Sequence, residues 1–373
     1  MKDKIKVYLQ SPWRKGGECS YYKFLREDLP NEIEFVNKEP STIIQNKKKL
    51  KLNNFAKKWV KKLIRNFLPS LPNAHKSPQG NYDLIHCAHC LSKNKNKPWV
   101  ADIEYPGQLW ASGRSTDKIS SKKEVLKILK SDNCKKILPW TKWVMDEIIK
   151  EFPEVKNKVK LLYPGIPMPK NVMKTKSNKT VLLYASRRFY FKGGLYAIEV
   201  MDKITKSNQN VEGWIVSDVP KEVYEKYKKN KQINFIGMVP QKRLFEEIYP
   251  AADIFLYPSF TDTFGFGITE AMSFGLPVVC CDGHSREEIV EDEKTGFVVE
   301  TKLGDHVPNS FLESLQREDI IKNLGEKTRK LVLDKNLRNK MSKNCIKVIK
   351  EGKFSIKIRN KKLKRIYEEA LKK

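Results

Sequence analysis

Two series of short apolar runs, each run alternating with a helix-patterned segment, leave this chain of 373 residues little choice of fold. The first series opens with the β-branched run Ile5 to Leu9. The loop Ser11 to Cys19 follows, containing Gly16 and Gly17, and then a helical stretch from Ser20 to Leu29. Strand, glycine loop and helix in that order begin a doubly wound α/β unit. Tyr82 to Ala88, Pro98 to Glu104 and Cys134 to Leu138 read as further strands, and Thr141 to Phe152 as the helix after the last of them. The second series starts at Thr180 to Ser186 and continues through Ile233 to Val239, Asp253 to Ser259, Pro277 to Asp282 and Gly296 to Glu300. Short apolar runs separated by helical patterns are the signature of parallel sheets, whose strands are covered on both faces. Pro164, Gly165, Pro167, Pro169 and a Lys/Asn/Ser-rich stretch to Lys179 read as the linker between the series. The tail from Asp334 is helical and lysine-rich, with a break near Gly352 and a last helix from Ser355 to Lys373. At roughly 150 residues per domain the length holds two. The reading is α/β throughout, in two Rossmann-like halves.

Charge limits the possible partners. Lys and Arg number 73 against 44 Asp and Glu, a formal net charge of +29. Such an excess attracts a polyanion: nucleic acid, an anionic membrane face or a phosphorylated substrate. No zinc-finger, RNA-binding sheet or helix-turn-helix pattern is present, so no specific nucleic acid is expected. No run approaches the ~18 apolar residues of a membrane span, and the start lacks a signal-peptide core. A soluble, cytoplasmic protein is expected. The seven scattered cysteines suit reduced thiols in that compartment. Cys87-Ala88-His89-Cys90 invites a zinc reading, yet no second ligand pair follows at the spacing zinc needs, and no metal is expected. The basic excess is concentrated before Arg65 and after Lys343, whereas Ala251 to Glu300 holds ten acids and only Arg286 and Lys294 as bases. Leu52, Phe55, Ala56, Trp59, Val60, Leu63, Ile64, Phe67 and Leu68 recur at helical spacing among lysines. That pattern fits a helix lying on an anionic membrane, or one burying its stripe on its own sheet.

The segment Tyr257 to Val279 carries the most chemistry. A strand ends at Tyr257-Pro258-Ser259, a polar loop with Asp262 follows, and a helix begins near Phe266 with Glu270 on its first turns. Gly265 and Gly267 let backbone approach a ligand, and the helix N-terminus offers N–H groups to an anion. A carboxylate there is suited to sugar hydroxyls rather than to phosphate, so the ligand carries both. Upstream, Arg187 and Lys192 flank a loop ending in Gly193-Gly194. Two such cations would stabilise charge on a departing nucleotide diphosphate.

These pieces, with Asn234 to Pro240, Ala252 to Ser259, and Glu287 to Val299, stand in an order that resembles the retaining glycosyltransferases of family 4. The resemblance implies two Rossmann-like domains facing across a cleft (the GT-B type), a nucleotide diphosphate sugar as donor substrate, and neither metal nor other cofactor. It divides the chain into an acceptor domain at 1–168, a donor domain at 169–345, and a C-terminal helix at 346–373 that returns to the first domain, with Phe354, Ser355 and Tyr367 on it. It implies that Glu270 binds the donor ribose, and that Arg187 and Lys192 bind the diphosphate. Asp262 then contacts the sugar, Phe264, Gly265, Phe266 and Gly267 lie beside sugar and phosphate, and Gly237 and Met238 frame the base. Arg187, Lys192, Asp262 and Glu270 form the catalytic set. The family usually has Glu where this chain has Asp262. Gly16 and Gly17 match the family's glycine loop, and Glu104 stands where many members have a histidine, with His89 a second candidate on the acceptor side. Glu288 matches a recurrent acid placed behind the site. The expected reaction is transfer to a hydroxyl of a glycan or lipid-linked glycan, with the leaving phosphate acting as base, on an anionic membrane surface where the acceptor is lipid-linked. Alternatives are a nucleotide-sugar epimerase or hydrolase on the same fold, or a basic, non-catalytic nucleic-acid- or membrane-binding protein.

Overall fold

The computed structural model describes residues 4–37, apart from 12, 15, 16 and 19, then 55, 56, 59, 60 and 63, and then 71–113, 119–169, 178–303 and 317–372. They form two compact units, residues 1–165 with 356–373, and residues 166–355.

The first unit is built on a sheet of β1 (Ile5–Gln10), β4 (Ile33–Phe35), β6 (Leu84–Ala88), β8 (Trp99–Ile103) and β9 (Cys134–Pro139), in the order β4-β1-β6-β8-β9. All pairings are parallel. Every residue of β6 and β8 is buried, which accounts for their unbroken apolar character. The loop after β1 is not a plain glycine loop. Part of it folds back as an antiparallel pair, β2 (Trp13–Arg14) with β3 (Gly17–Glu18). A separate small pairing joins β5 (Ala74–His75) to β7 (Leu91–Ser92).

The helix Ile356–Leu371 belongs to this first unit. Tyr367, on its buried face, places its hydroxyl 2.5 Å from His86 Nδ1, and His86 Nε2 lies 2.6 Å from Asp102 Oδ2. If Nε2–H donates to the carboxylate, Nδ1 accepts from the tyrosine. Buried Arg359 donates to the Phe24 and Asp28 carbonyls at 3.5 and 3.2 Å. Gly165 faces the start of this helix so closely that a Cβ would lie 2.9 Å from the Ile356 Cα. Replacing Tyr367 by Phe keeps the ring but leaves a buried histidine nitrogen unpaired. The expected cost is about 1–3 kcal/mol, read as a lower urea midpoint for the first unit.

The second unit carries β10 (Thr180–Ala185), β11 (Val211–Val216), β12 (Ile233–Phe235), β13 (Ile254–Tyr257), β14 (Val278–Cys281) and β15 (Gly296–Val299). All are parallel, in the order β12-β11-β10-β13-β14-β15. Counted along the chain this is 3-2-1-4-5-6, the dinucleotide-fold order, which reverses between β10 and β13. The C-terminal boundary differs from the sequence expectation. The helix Lys335–Lys350 is continuous through 346–350 and packs in the second unit, with Cys345 and Ile349 on its buried side. Phe354 and Ser355 also stay there, the Phe354 ring lying 5.9 Å from that of Phe264. Of the three residues expected on the returning helix, only Tyr367 is on it. The break falls at Glu351 and Gly352, after which the chain re-enters a helix at Ile356.

Most of the 52–68 stretch lies outside the described residues. Those described within it are helical, and Phe55, Trp59, Val60 and Leu63 are 61, 53, 53 and 48% exposed. They do not bury a stripe against the sheet. No described helix is long and apolar enough to cross a membrane.

Candidate active site

In an open α/β sheet, ligands bind beyond the carboxyl ends of the strands where the strand order reverses. In the second unit that point lies between β10 and β13, and the loops after those strands carry the residues singled out above. Gly193 joins the two loops. Its φ is +71°, and a Cβ would fall 1.9 Å from the Pro258 carbonyl oxygen, so only glycine fits. Thr261 Oγ1 donates to the Phe191 carbonyl at 3.0 Å. Lys192 Nζ and Asp262 Oδ1 form a short ion pair across the same seam.

Both helices that leave this point lack a side-chain N-cap. The helix Gly194–Ser207 starts behind Gly193, and the helix Phe266–Ser273 starts behind Gly265, whose φ is +76°. Neither has an acid in its first turn. Two helix N-termini with partial positive charge therefore flank the reversal point, as an anion requires.

Glu270 lies in the second turn of Phe266–Ser273 and is 7% exposed. Gln241 Nε2 donates to its Oε1 at 3.3 Å, and the Tyr249 hydroxyl lies 3.5 Å from its Oε2. Burial pushes its carboxyl up to about 7, partly offset by those two hydrogen bonds and the charge of Arg187. Asp262 differs. Burial pushes it up, but the charge and hydrogen bond of Lys192 outweigh burial and hold the carboxyl below its ordinary value. Among the described residues its buried Oδ2 has no partner at close hydrogen-bond geometry, and the nearby Tyr257 hydroxyl helps to hold the carboxyl down. One carboxylate thus has a resident cation, and the other is held by neutral donors.

The sequence-derived set therefore comes together in large part. Arg187 is exposed after β10, and Phe264 to Gly267 lead into the helix that carries Glu270. Gly237 (φ +74°) and Met238, 39% exposed, follow β12, and no contact ties them to the site among the described residues, although Gln241 just beyond them donates to Glu270. Gln241 and Tyr249, the partners of Glu270, were not legible beforehand, because nothing in their spacing marks them. Arg286 was also missed. Glu288 lies in the short helix Arg286–Ile289, and its backbone carbonyl accepts from Lys353 Nζ.

In the first unit, His89 follows β6 and Glu104 follows β8, both at the carboxyl edge of the sheet. His89 Nε2 lies 3.9 Å from Glu104 Oε2. His89 has a φ of +56°, and its ring packs edge-on to Tyr22 and Trp140 at 5.2 and 4.7 Å. Gly17 pairs with Arg14 in the hairpin, and Gly16 lies outside the described residues. Cys87 and Cys90 are buried free thiols beside the Gln10 amide.

Residues 169–348 match the family model described as glycosyl transferases group 1. That stretch is similar to a glycosyl transferases group 1 domain. It lies within the second unit, and the site described above falls inside it. The chain is 39% identical over 104 residues to O-antigen chain mannosyltransferase B of Escherichia coli, covering 28% of this chain and 26% of the relative. The first curated relatives are matched over no more than about a third of their length. Among solved structures, a glycosyltransferase from Rickettsia africae ESF-5 superposes with a TM-score of 0.63 at 16% identity, covering 100% of both chains. Anabaena HepE, solved in complex with UDP and glucose, superposes with a TM-score of 0.58 at 14% identity, over 98% of this chain and 99% of that one. These likenesses place the fold among glycosyltransferases with two Rossmann-like domains.

Proposed function

We propose that this protein is a retaining glycosyltransferase that moves a sugar from a nucleotide diphosphate sugar to a hydroxyl of a glycan or lipid-linked glycan. The observation that carries the reading is the convergence of Lys192, Asp262, Arg187 and Glu270 at the strand-order reversal, beside two uncapped helix N-termini. Glu270, once ionised, accepts the two ribose hydroxyls. Arg187, Lys192 and the helix N-termini take the diphosphate, and their charge stabilises it as it departs. Asp262 is shared between Lys192 and a sugar hydroxyl, its Oδ2 supplying the acceptor. The bond from the anomeric carbon to the phosphate oxygen breaks as the acceptor oxygen bonds to that carbon on the same face. The acceptor's proton goes to the leaving phosphate. No metal or other cofactor is assigned a part.

His89 and Glu104 belong to the acceptor side in this reading, paired at the edge of the first sheet. The binding of UDP and glucose by HepE supports a nucleotide-sugar donor for the shared fold. The exposed Phe55, Trp59, Val60 and Leu63, with a net charge of +29, support docking on the anionic cytoplasmic face of a membrane.

The test is transfer from UDP-, GDP- and ADP-sugars to a panel of glycan and lipid-linked acceptors, with the product's anomeric configuration read by proton NMR. An α-linked product from an α-linked donor is expected. A β-linked product would overturn retention, and release of free sugar alone would replace transfer by hydrolysis.

A further inference from the structure

Arg286 is 1% exposed, and all of its hydrogen bonds go to backbone carbonyls. Nε donates to Cys281 and Asp282 at 2.9 and 3.0 Å, Nη1 to Asp262 at 3.3 Å, and Nη2 to Asp282 again. Among the described residues it has no carboxylate partner. The nearby Asp282 carboxylate is occupied by Thr301, through its N–H at 3.1 Å and its hydroxyl at 2.5 Å. A guanidinium buried with carbonyls alone is costly to desolvate, and a neutral side chain would be the cheaper core filler.

Its neighbours show where it acts. Arg286 reaches from the turn after β14 to the loop after β13, and Ser285 beside it donates its hydroxyl to the Thr263 carbonyl. Two successive side chains therefore hold two successive carbonyls of the loop that presents Asp262. Holding a carbonyl fixes the plane of its peptide and the direction of the N–H that follows. The turn that delivers them bends through Gly283 at φ +98° and His284 at φ +50°.

We propose that Arg286 is a positioning residue of the nucleotide-sugar site, strapping the loop Asp262–Gly265 in the conformation that meets the donor. This rests on the donor reading above. Lys192 and the helix N-termini touch the ligand, whereas Arg286 acts through the loop, and its buried charge adds a fixed positive potential behind it.

The test compares Arg286→Met, Arg286→Lys and Ile204→Ala. Ile204 is a core residue about 15 Å along the helix that starts at Gly194. Each is measured for melting temperature and, well below it, for affinity toward UDP, GDP and ADP by isothermal titration. The expected result is a roughly ten- to hundredfold loss of nucleotide diphosphate affinity in Arg286→Met. Arg286→Lys, which keeps charge but cannot fork to the separate carbonyls, falls between. Ile204→Ala keeps wild-type affinity despite its lower melting temperature. Wild-type affinity in Arg286→Met would overturn the proposal, as would losses that merely follow melting temperature across the three variants. If Arg286→Met does not fold, wild-type affinity in Arg286→Lys overturns it. A wild-type protein that binds none of the three nucleotides overturns the donor reading itself, and this role with it.

Discussion

Replacing Glu270 by Gln is expected to abolish donor binding and, above neutral pH, to make the protein more stable. Both effects follow from one buried carboxyl pushed up to about 7 from an ordinary 4.5. A raised carboxyl means that the folded state holds its proton more tightly than the unfolded state does. Its contribution to stability is therefore full below about pH 4.5, falls as pH rises, and is lost by about pH 7. The shift amounts to about 3 kcal/mol, as an order of magnitude. Gln removes this loss, and its amide can still meet Gln241 and Tyr249. Urea titrations of the two proteins should diverge as pH rises, the variant being the more stable at pH 8 and no longer so at pH 4.5. Donor affinity of the wild type should rise through pH 7, because two ribose hydroxyls need an ionised acceptor, and binding should release protons. Unchanged donor affinity in the variant would remove Glu270 from the site.

Lys192→Ala should be among the most destabilising single changes in the second unit. It leaves Asp262, with a side chain 15% exposed, as a buried charge without its cation. Removing one partner of a buried pair costs about 3–5 kcal/mol. Asp262 is held below its ordinary value chiefly because Lys192 outweighs the burial that raises it, so its stabilisation is present above about pH 4 and lost as pH falls. In Lys192→Ala that dependence should weaken, since only the Tyr257 hydrogen bond and the Arg286 charge then oppose the burial that raises the carboxyl. Adding Asp262→Asn should restore most of the lost stability by removing the orphaned charge, and should not restore donor binding. A single variant as stable as the wild type would show that the pair does not form. Recovered donor binding in the double variant would show that Lys192 is structural only.

Much of this site was legible because its residues sit in local patterns. Gly193-Gly194 after an apolar run, and Gly265 and Gly267 before Glu270, mark strand-to-helix turns whose backbone demands are written in the residue types. The first four strand readings fell within two residues of β1, β6, β8 and β9, because strands covered on both faces are apolar throughout. Two strands of the two large sheets were missed. In β11, Glu212 and Gly213 interrupt the apolar run, and β4 has only three residues, Ile33 to Phe35. Partners that arrive from distant segments left no local mark. Gln241 and Tyr249 meet Glu270 from 29 and 21 residues away. Arg286 was readable only as a stray base among acids, and its burial among carbonyls is a tertiary fact. The break near Gly352 was legible, but the end of the second unit was placed at 345 by the resemblance, and the sequence does not show on which unit the helix before that break packs. The burial of Cys345 and Ile349 places the helix ending at Lys350 in the second unit, whereas the one beginning at Ile356 belongs to the first.

The central claim is that the second unit holds a nucleotide diphosphate sugar through Glu270 and Lys192. The measurement that tests it most directly is isothermal titration of UDP-, GDP- and ADP-sugars into the wild type and Glu270→Gln at pH 8, where the variant is expected to be fully folded. Binding of one nucleotide class by the wild type, and at least a hundredfold weaker binding by the variant, is the predicted result. Equal affinity in the two proteins, or no binding by a folded wild type, would contradict it.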